Sequence, residues 1–122
     1  MRKKRSIGAR NRSRGNRYEL KIIKELKEIT GNENLCSSRS DSKKLDNMKI
    51  DISDPDNVLD FYVQIKCTQN TPQIININKE VGKKDKPLAI FWNAQEAKEN
   101  KQISLGEYVI IPKEFFYEIM KK

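Results

Sequence analysis

Two runs of alternating residues, 48–53 and 61–68, flank Asp54-Pro55-Asp56-Asn57, and they constrain the fold more than any other stretch. Ile50 and Ile52 alternate with Lys49, Asp51 and Ser53. Phe61, Val63 and Ile65 alternate with Tyr62, Gln64 and Lys66. Successive side chains of a strand change face, so each run reads as a strand with one buried side. The Asp-Pro-Asp-Asn segment supplies turn chemistry between them. The stretch therefore reads as a hairpin, with Asp51 on the polar side of its first strand and Gln64 and Lys66 on the polar side of its second. A carboxylate, an amide oxygen and an ammonium then share one wall of a sheet.

Helical spacing precedes this stretch. Tyr18, Ile22, Leu26 and Ile29 form a stripe, Asn16 stands where a cap belongs, and Gly31 stands where a C-terminal glycine belongs. Residues 31–47 are polar and turn-rich, with a short strand expected at 35–38. After the hairpin, Thr71-Pro72 has the form of a helix start, and Ile74, Ile77 and Val81 follow at helical spacing up to Gly82. Residues 87–92 and 108–111 read as strands separated by a polar excursion over 93–101. Phe115, Phe116, Ile119 and Met120 make the apolar face of a closing helix. The expectation is an α/β fold, a central mixed β-sheet flanked by helices in the order αβββαβ, with a C-terminal helix.

The net charge of +8 is concentrated at one end. Residues 1–17 carry 8 positives and no acid, whereas beyond them 17 positives balance 17 acids. Residues 1–15 hold almost nothing apolar and read as a flexible basic arm, with a single domain over 16–122. Such an arm suits a polyanion, because neutralising phosphates releases counterions. No apolar run approaches the roughly 18–20 residues that span a membrane, and no apolar segment follows the basic start as in a secretory signal. A cytoplasmic protein with no membrane partner is the expectation.

The chain has no histidine, and its 2 cysteines, Cys36 and Cys67, form no CxxC pair. Imidazole-based catalysis and structural zinc sites of the usual ligand sets are thereby excluded. Metal-assisted phosphodiester hydrolysis remains open, since it needs oxygen ligands and a cation. Asp51 is the leading ligand, with Asp46 as its rival in the preceding loop. Gln64 offers an amide oxygen, the Ile65 carbonyl lies between the two polar side chains, and Lys66 can orient or deprotonate water. Glu19 leans toward the buried side of the first helix, where a carboxylate needs a cation, a metal or water beside it.

Glu19, Asp51 and Gln64-Ile65-Lys66 together resemble the site of the PD-(D/E)XK nuclease superfamily. Arg14-Gly15-Asn16-Arg17-Tyr18-Glu19 and the Ser38-Arg39-Ser40 loop resemble the archaeal-type and phage Holliday junction resolvases within it. The resemblance spans residues 14–111. It implies a restriction-endonuclease-like core and a homodimer resolving four-way DNA junctions, with restriction, repair or transposition nucleases and non-catalytic binders as alternatives. It implies Mg²⁺, with Mn²⁺ substituting, held by Glu19, Asp51, Gln64 and the Ile65 carbonyl, and Lys66 assisting the attacking water. DNA contacts would fall on Arg10, Arg12, Arg14, Arg17, Arg39 and Ser40. A phage origin would place the protein in the host cytoplasm. Gln64 stands where the family usually has an acid, which removes one negative charge from the site.

Overall fold

The computed structural model describes residues 7–81 and 85–122, with side chains from residue 12 onward. The long first helix α1 (Ile7–Thr30) leads into a two-residue strand β1 (Cys36–Ser37) and two short helices, α2 (Ser38–Asp41) and α3 (Lys43–Asn47). Strands β2 (Ile52–Ser53) and β3 (Tyr62–Thr68) follow, then α4 (Ile74–Val81), β4 (Leu88–Lys98), β5 (Lys101–Ile110) and α5 (Lys113–Lys121). The sheet order is β3-β4-β5, with β3 and β4 parallel through the α4 crossover and β4 and β5 antiparallel. The fold is mixed α/β, with a three-stranded mixed sheet flanked by helices.

Two apolar clusters cover the two faces of β3. On one face Tyr18, Ile22, Ile23 and Leu26 of α1 meet Val63, with Ile65 and Cys67 at the margin. On the other, Ile77 and Val81 of α4 meet Ile50, Leu88 and Ile90, with Tyr62 at the margin. Strand parity explains the division, since Val63, Ile65 and Cys67 share one side and Tyr62, Gln64 and Lys66 the other. A parallel strand is normally covered on both faces. The face expected to be polar is therefore closed over, and Gln64 is only 7% exposed.

The expected hairpin is looser than its alternation implies. β2 forms an antiparallel ladder with β1, not with β3. One backbone bond, from Asp51 N to Val63 O at 2.8 Å, holds the 50–53 segment beside β3. The turn itself forms as expected: Asp54 Oδ1 and Oδ2 accept from the amides of Val58 and Leu59, and Asn57 N donates to Asp54 O. These bonds commit Asp54 to the turn, and its neighbour Asp56 accepts from Asn32 and Asn34.

Two further expectations are corrected. The polar excursion over 93–101 is strand: β4 and β5 run as one long hairpin, turning at Glu99 and Asn100 with φ of 50° and 64°. Two successive positive φ values match a two-residue hairpin turn whose twist suits the strands. The arm expected over residues 1–15 gives way from Ile7 onward, where α1 begins, and Asn16 is helix interior rather than a cap. The closing helix forms as expected; α5 buries none of its residues, and the Phe115 ring lies 6.0 Å from that of Phe61. Residues 1–6 of the expected arm and Gly82 lie outside the described residues. Gly31 ends α1 as expected, with φ of 72° and its N–H on Lys27 O, although Ile29 is exposed.

No helix among the described residues is long and apolar enough to cross a membrane. Cys36 and Cys67 are free thiols, both half-buried.

Candidate functional site

The free edge of β3 gathers the candidate residues. Tyr62 N donates to Pro87 O on the β4 side, whereas Val63 O faces the 50–53 segment. N–H and C=O groups of alternate residues point to alternate edges of a strand. The N–H and C=O of Ile65 therefore open on the side where Asp51 lies. Ile65 N donates to Asp51 Oδ2 at 2.7 Å. Asp51 thus reaches the strand edge, just before β2, rather than sitting on a sheet wall. Its place follows from Ile50, which is fully buried and fixes the segment from the apolar side.

Burial pushes the Asp51 carboxyl up to about 6, with the nearby carboxylates of Glu19 and Asp46 acting in the same direction. The Ile65 N–H and the Lys66 ammonium pull against this rise. The cause is general: a desolvated carboxylate close to others of its kind resists ionising. Asp46 sits in α3, half-buried, as a neighbour of Asp51.

Glu19 comes from the α1 face and is only 6% exposed. Its partners are Ser37 Oγ, which donates to Oε1 at 2.7 Å, and Arg39, whose guanidinium donates to Oε2 at 2.9 Å. The cation needed beside this buried acid is supplied by α2, where a loop is expected from the sequence. That short helix is itself tied down: Ser38 Oγ donates to Ile50 O, Ser38 N to Asp51 O, and Ser40 Oγ to Ser37 O. Arg39 is thereby turned toward Glu19, while Ser40 stays exposed. Sequence spacing could not reveal the pair, since 20 residues separate the partners.

Gln64 and Lys66 approach from the α4 face. Gln64 Oε1 is buried and has no hydrogen-bond partner among the described residues. An orphaned buried acceptor is costly and calls for a donor or a cation. No three of His, Cys, Asp and Glu are grouped to hold a metal ion among the described residues. The oxygens at this edge are the Asp51 carboxylate and the Ile65 carbonyl, with Glu19 alongside, and the unpartnered Gln64 amide belongs to the α4 face of the same strand. Hard divalent cations accept carboxylate, amide and backbone carbonyl oxygens alike, so these residues fit such an ion.

Lys66 also borders a groove of about 800 Å³ beyond the C-terminal end of β3, which Arg14 enters from α1. Arg14 and Arg17 share an adjoining hollow of about 280 Å³ with Lys21. Arg12 is exposed on the same helix. Arg10 is placed by its backbone in α1, and its side chain lies outside the described residues. Lys21 is bound to Glu107 of β5 at 2.7 Å, which anchors this basic stretch of helix to the sheet.

Searches against family models, curated proteins and solved structures returned no match.

Proposed function

We propose that the protein is a metal-dependent DNA endonuclease of the PD-(D/E)XK kind, with a restriction-endonuclease-like core, acting on four-way junctions as a homodimer. The observation that carries this reading is the free edge of β3, where the half-buried Asp51 carboxylate accepts from Ile65 N–H within the field of Glu19 and the Lys66 ammonium, while the neighbouring Gln64 oxygen is unpartnered among the described residues. Asp51, Gln64 and the Ile65 carbonyl would hold Mg²⁺ or Mn²⁺, with Glu19 joining them when Arg39 swings toward DNA. When bound, the ion supplies Lewis-acid polarisation of the phosphodiester and activation of water. Lys66 supplies positive charge to the phosphate and a base for the attacking water once deprotonated. Arg12, Arg14 and Arg17 on α1 offer guanidiniums to the phosphate backbone, which fixes position without reading sequence.

The test is cleavage of a synthetic four-way junction with Mg²⁺, run beside linear duplex. Paired nicks at the junction are expected, and they should vanish in both Asp51→Ala and Lys66→Ala. Cleavage that survives both substitutions would overturn the assignment. Cleavage of duplex alone would move the reading to a restriction, repair or transposition nuclease.

A second reading, a nucleic-acid binder without catalysis, has its own support. Glu19 is already satisfied by Arg39 and Ser37, and Gln64 brings no charge. Binding that is steep in salt but indifferent to Mg²⁺ would favour it.

A further inference from the structure

The groove beyond β3 has a chemistry that backbone contact alone does not explain. A surface that tracks phosphates is lined by cations. Among the described residues this one, about 800 Å³ in volume, carries two, Arg14 and Lys66, and they stand with Glu80, whose carboxylate repels phosphate. Much of the remaining lining is amide: Asn76 from α4, Gln73 just before it, Gln95 from β4 and Gln102 from β5. Gln102 Oε1 is buried without a hydrogen-bond partner among the described residues. It is an acceptor buried behind the groove surface for which the described residues provide no donor. Gln95, by contrast, is held in place, its Nε2 donating to Asn93 Oδ1 at 3.0 Å.

Amides that both donate and accept, joined by a carboxylate, match the edges of nucleobases. Asn and Gln pair with adenine edges, and Glu accepts from the cytosine amine. An unpaired base also exposes edges that a duplex hides. The elements that build the groove are anchored independently. Ile77 and Val81 bury one side of α4, and the β4–β5 ladder fixes Gln95 and Gln102.

We infer that the groove between α4 and the β4–β5 hairpin is a pocket for one unpaired nucleotide of DNA, with the Gln102 amide turning its buried, unpartnered oxygen outward to accept from the base and Arg14 and Lys66 holding its phosphate. This rests on the nucleic-acid reading above and adds to it a site that recognises bases. Strand continuity places the pocket next to the cleavage edge, because Lys66 belongs to both.

Binding without metal separates this inference from the nuclease assignment. Fluorescence anisotropy in EDTA is measured with labelled five-nucleotide strands of dA, dC or dT, and with a five-nucleotide strand of abasic sites. One base should bind at least about tenfold more tightly than the abasic strand, the scale expected of a good base contact. Gln102→Leu should erase that preference and leave abasic binding unchanged, whereas Lys66→Ala should weaken every strand. Asn76→Ala, on the exposed face of α4, should also narrow the preference, and it disturbs no buried contact. Equal binding of the abasic and base-bearing strands overturns the inference, as does a uniform loss in Gln102→Leu together with no change in Asn76→Ala. Junction cleavage with no base preference would leave the nuclease and remove the pocket. Base preference without junction cleavage would do the reverse.

Discussion

Asp51 is a carboxylate whose environment works against its charge. Its pKa in the fold, about 6, lies above the ordinary 3.8. Between those values the folded chain keeps a proton that the unfolded chain has released. Proton linkage then makes the metal-free protein lose stability as pH rises from about 4 to about 6, by roughly 2–3 kcal/mol. Asp51→Asn removes that penalty while an amide oxygen still accepts from Ile65 N–H. Near pH 7.5 the variant should melt roughly 5–10 °C above the parent, and near pH 4 the two should coincide. Calorimetry at both pH values checks this, and an equal shift at both would mean that the carboxylate charge is not its source. Mn²⁺ should raise the melting temperature of the parent near pH 7.5 and leave Asp51→Asn unmoved. A group held against its own ionisation is a common mark of a functional site.

At the scale of elements, α1 joins a buried half to a basic half. Gly15 lies between them, and a Cβ built there meets nothing within 4 Å. Glycine inside a helix costs about 0.5–1 kcal/mol relative to alanine. Gly15→Ala should therefore raise stability by about that amount and slow amide exchange at residues 12–14. Unchanged exchange there would mean that the basic half is not helical in solution. The stripe from Tyr18 to Leu26 made the buried half legible, because burial leaves a 3.6-residue period in sequence. Residues 7–15 contain no such stripe, so their helix was invisible and the segment read as an arm. The β4–β5 hairpin escaped notice for a related reason. Its outer half is exposed on both faces, which removes the alternation, and Glu99-Asn100 lacks the glycine that usually marks such a turn. Asp51, Gln64 and Lys66 were legible as candidates from strand parity. The hold of Asp51 on the Ile65 N–H at a strand edge, and that of Ser37 and Arg39 on Glu19, depend on long-range contacts that no local pattern records.

At the scale of the whole molecule, the apolar surface is unevenly distributed. α5 leaves Phe116, Tyr117, Ile119 and Met120 exposed, with Met120 at 66%. On β5, which among the described residues has β4 as its only strand neighbour, Leu105, Tyr108 and Val109 are exposed as well. An exposed apolar helix face and an open strand edge are each poorly covered by water and suited to a partner. A second copy of the chain is the occupant that the proposed function requires, because a two-fold junction presents two equivalent strands for cutting. Met120→Glu and Phe116→Glu place charge on that face without touching the buried clusters. The double variant should sediment as a monomer at concentrations where the parent is a dimer, with the melting temperature changed only by the loss of association. It should still bind a single strand, because α1 and the groove beyond β3 lie on other elements. Its junction cleavage should fall from paired nicks to single, uncoupled ones. A parent that sediments as a monomer throughout the micromolar range would remove the dimer. A variant that stays dimeric would move the interface away from α5.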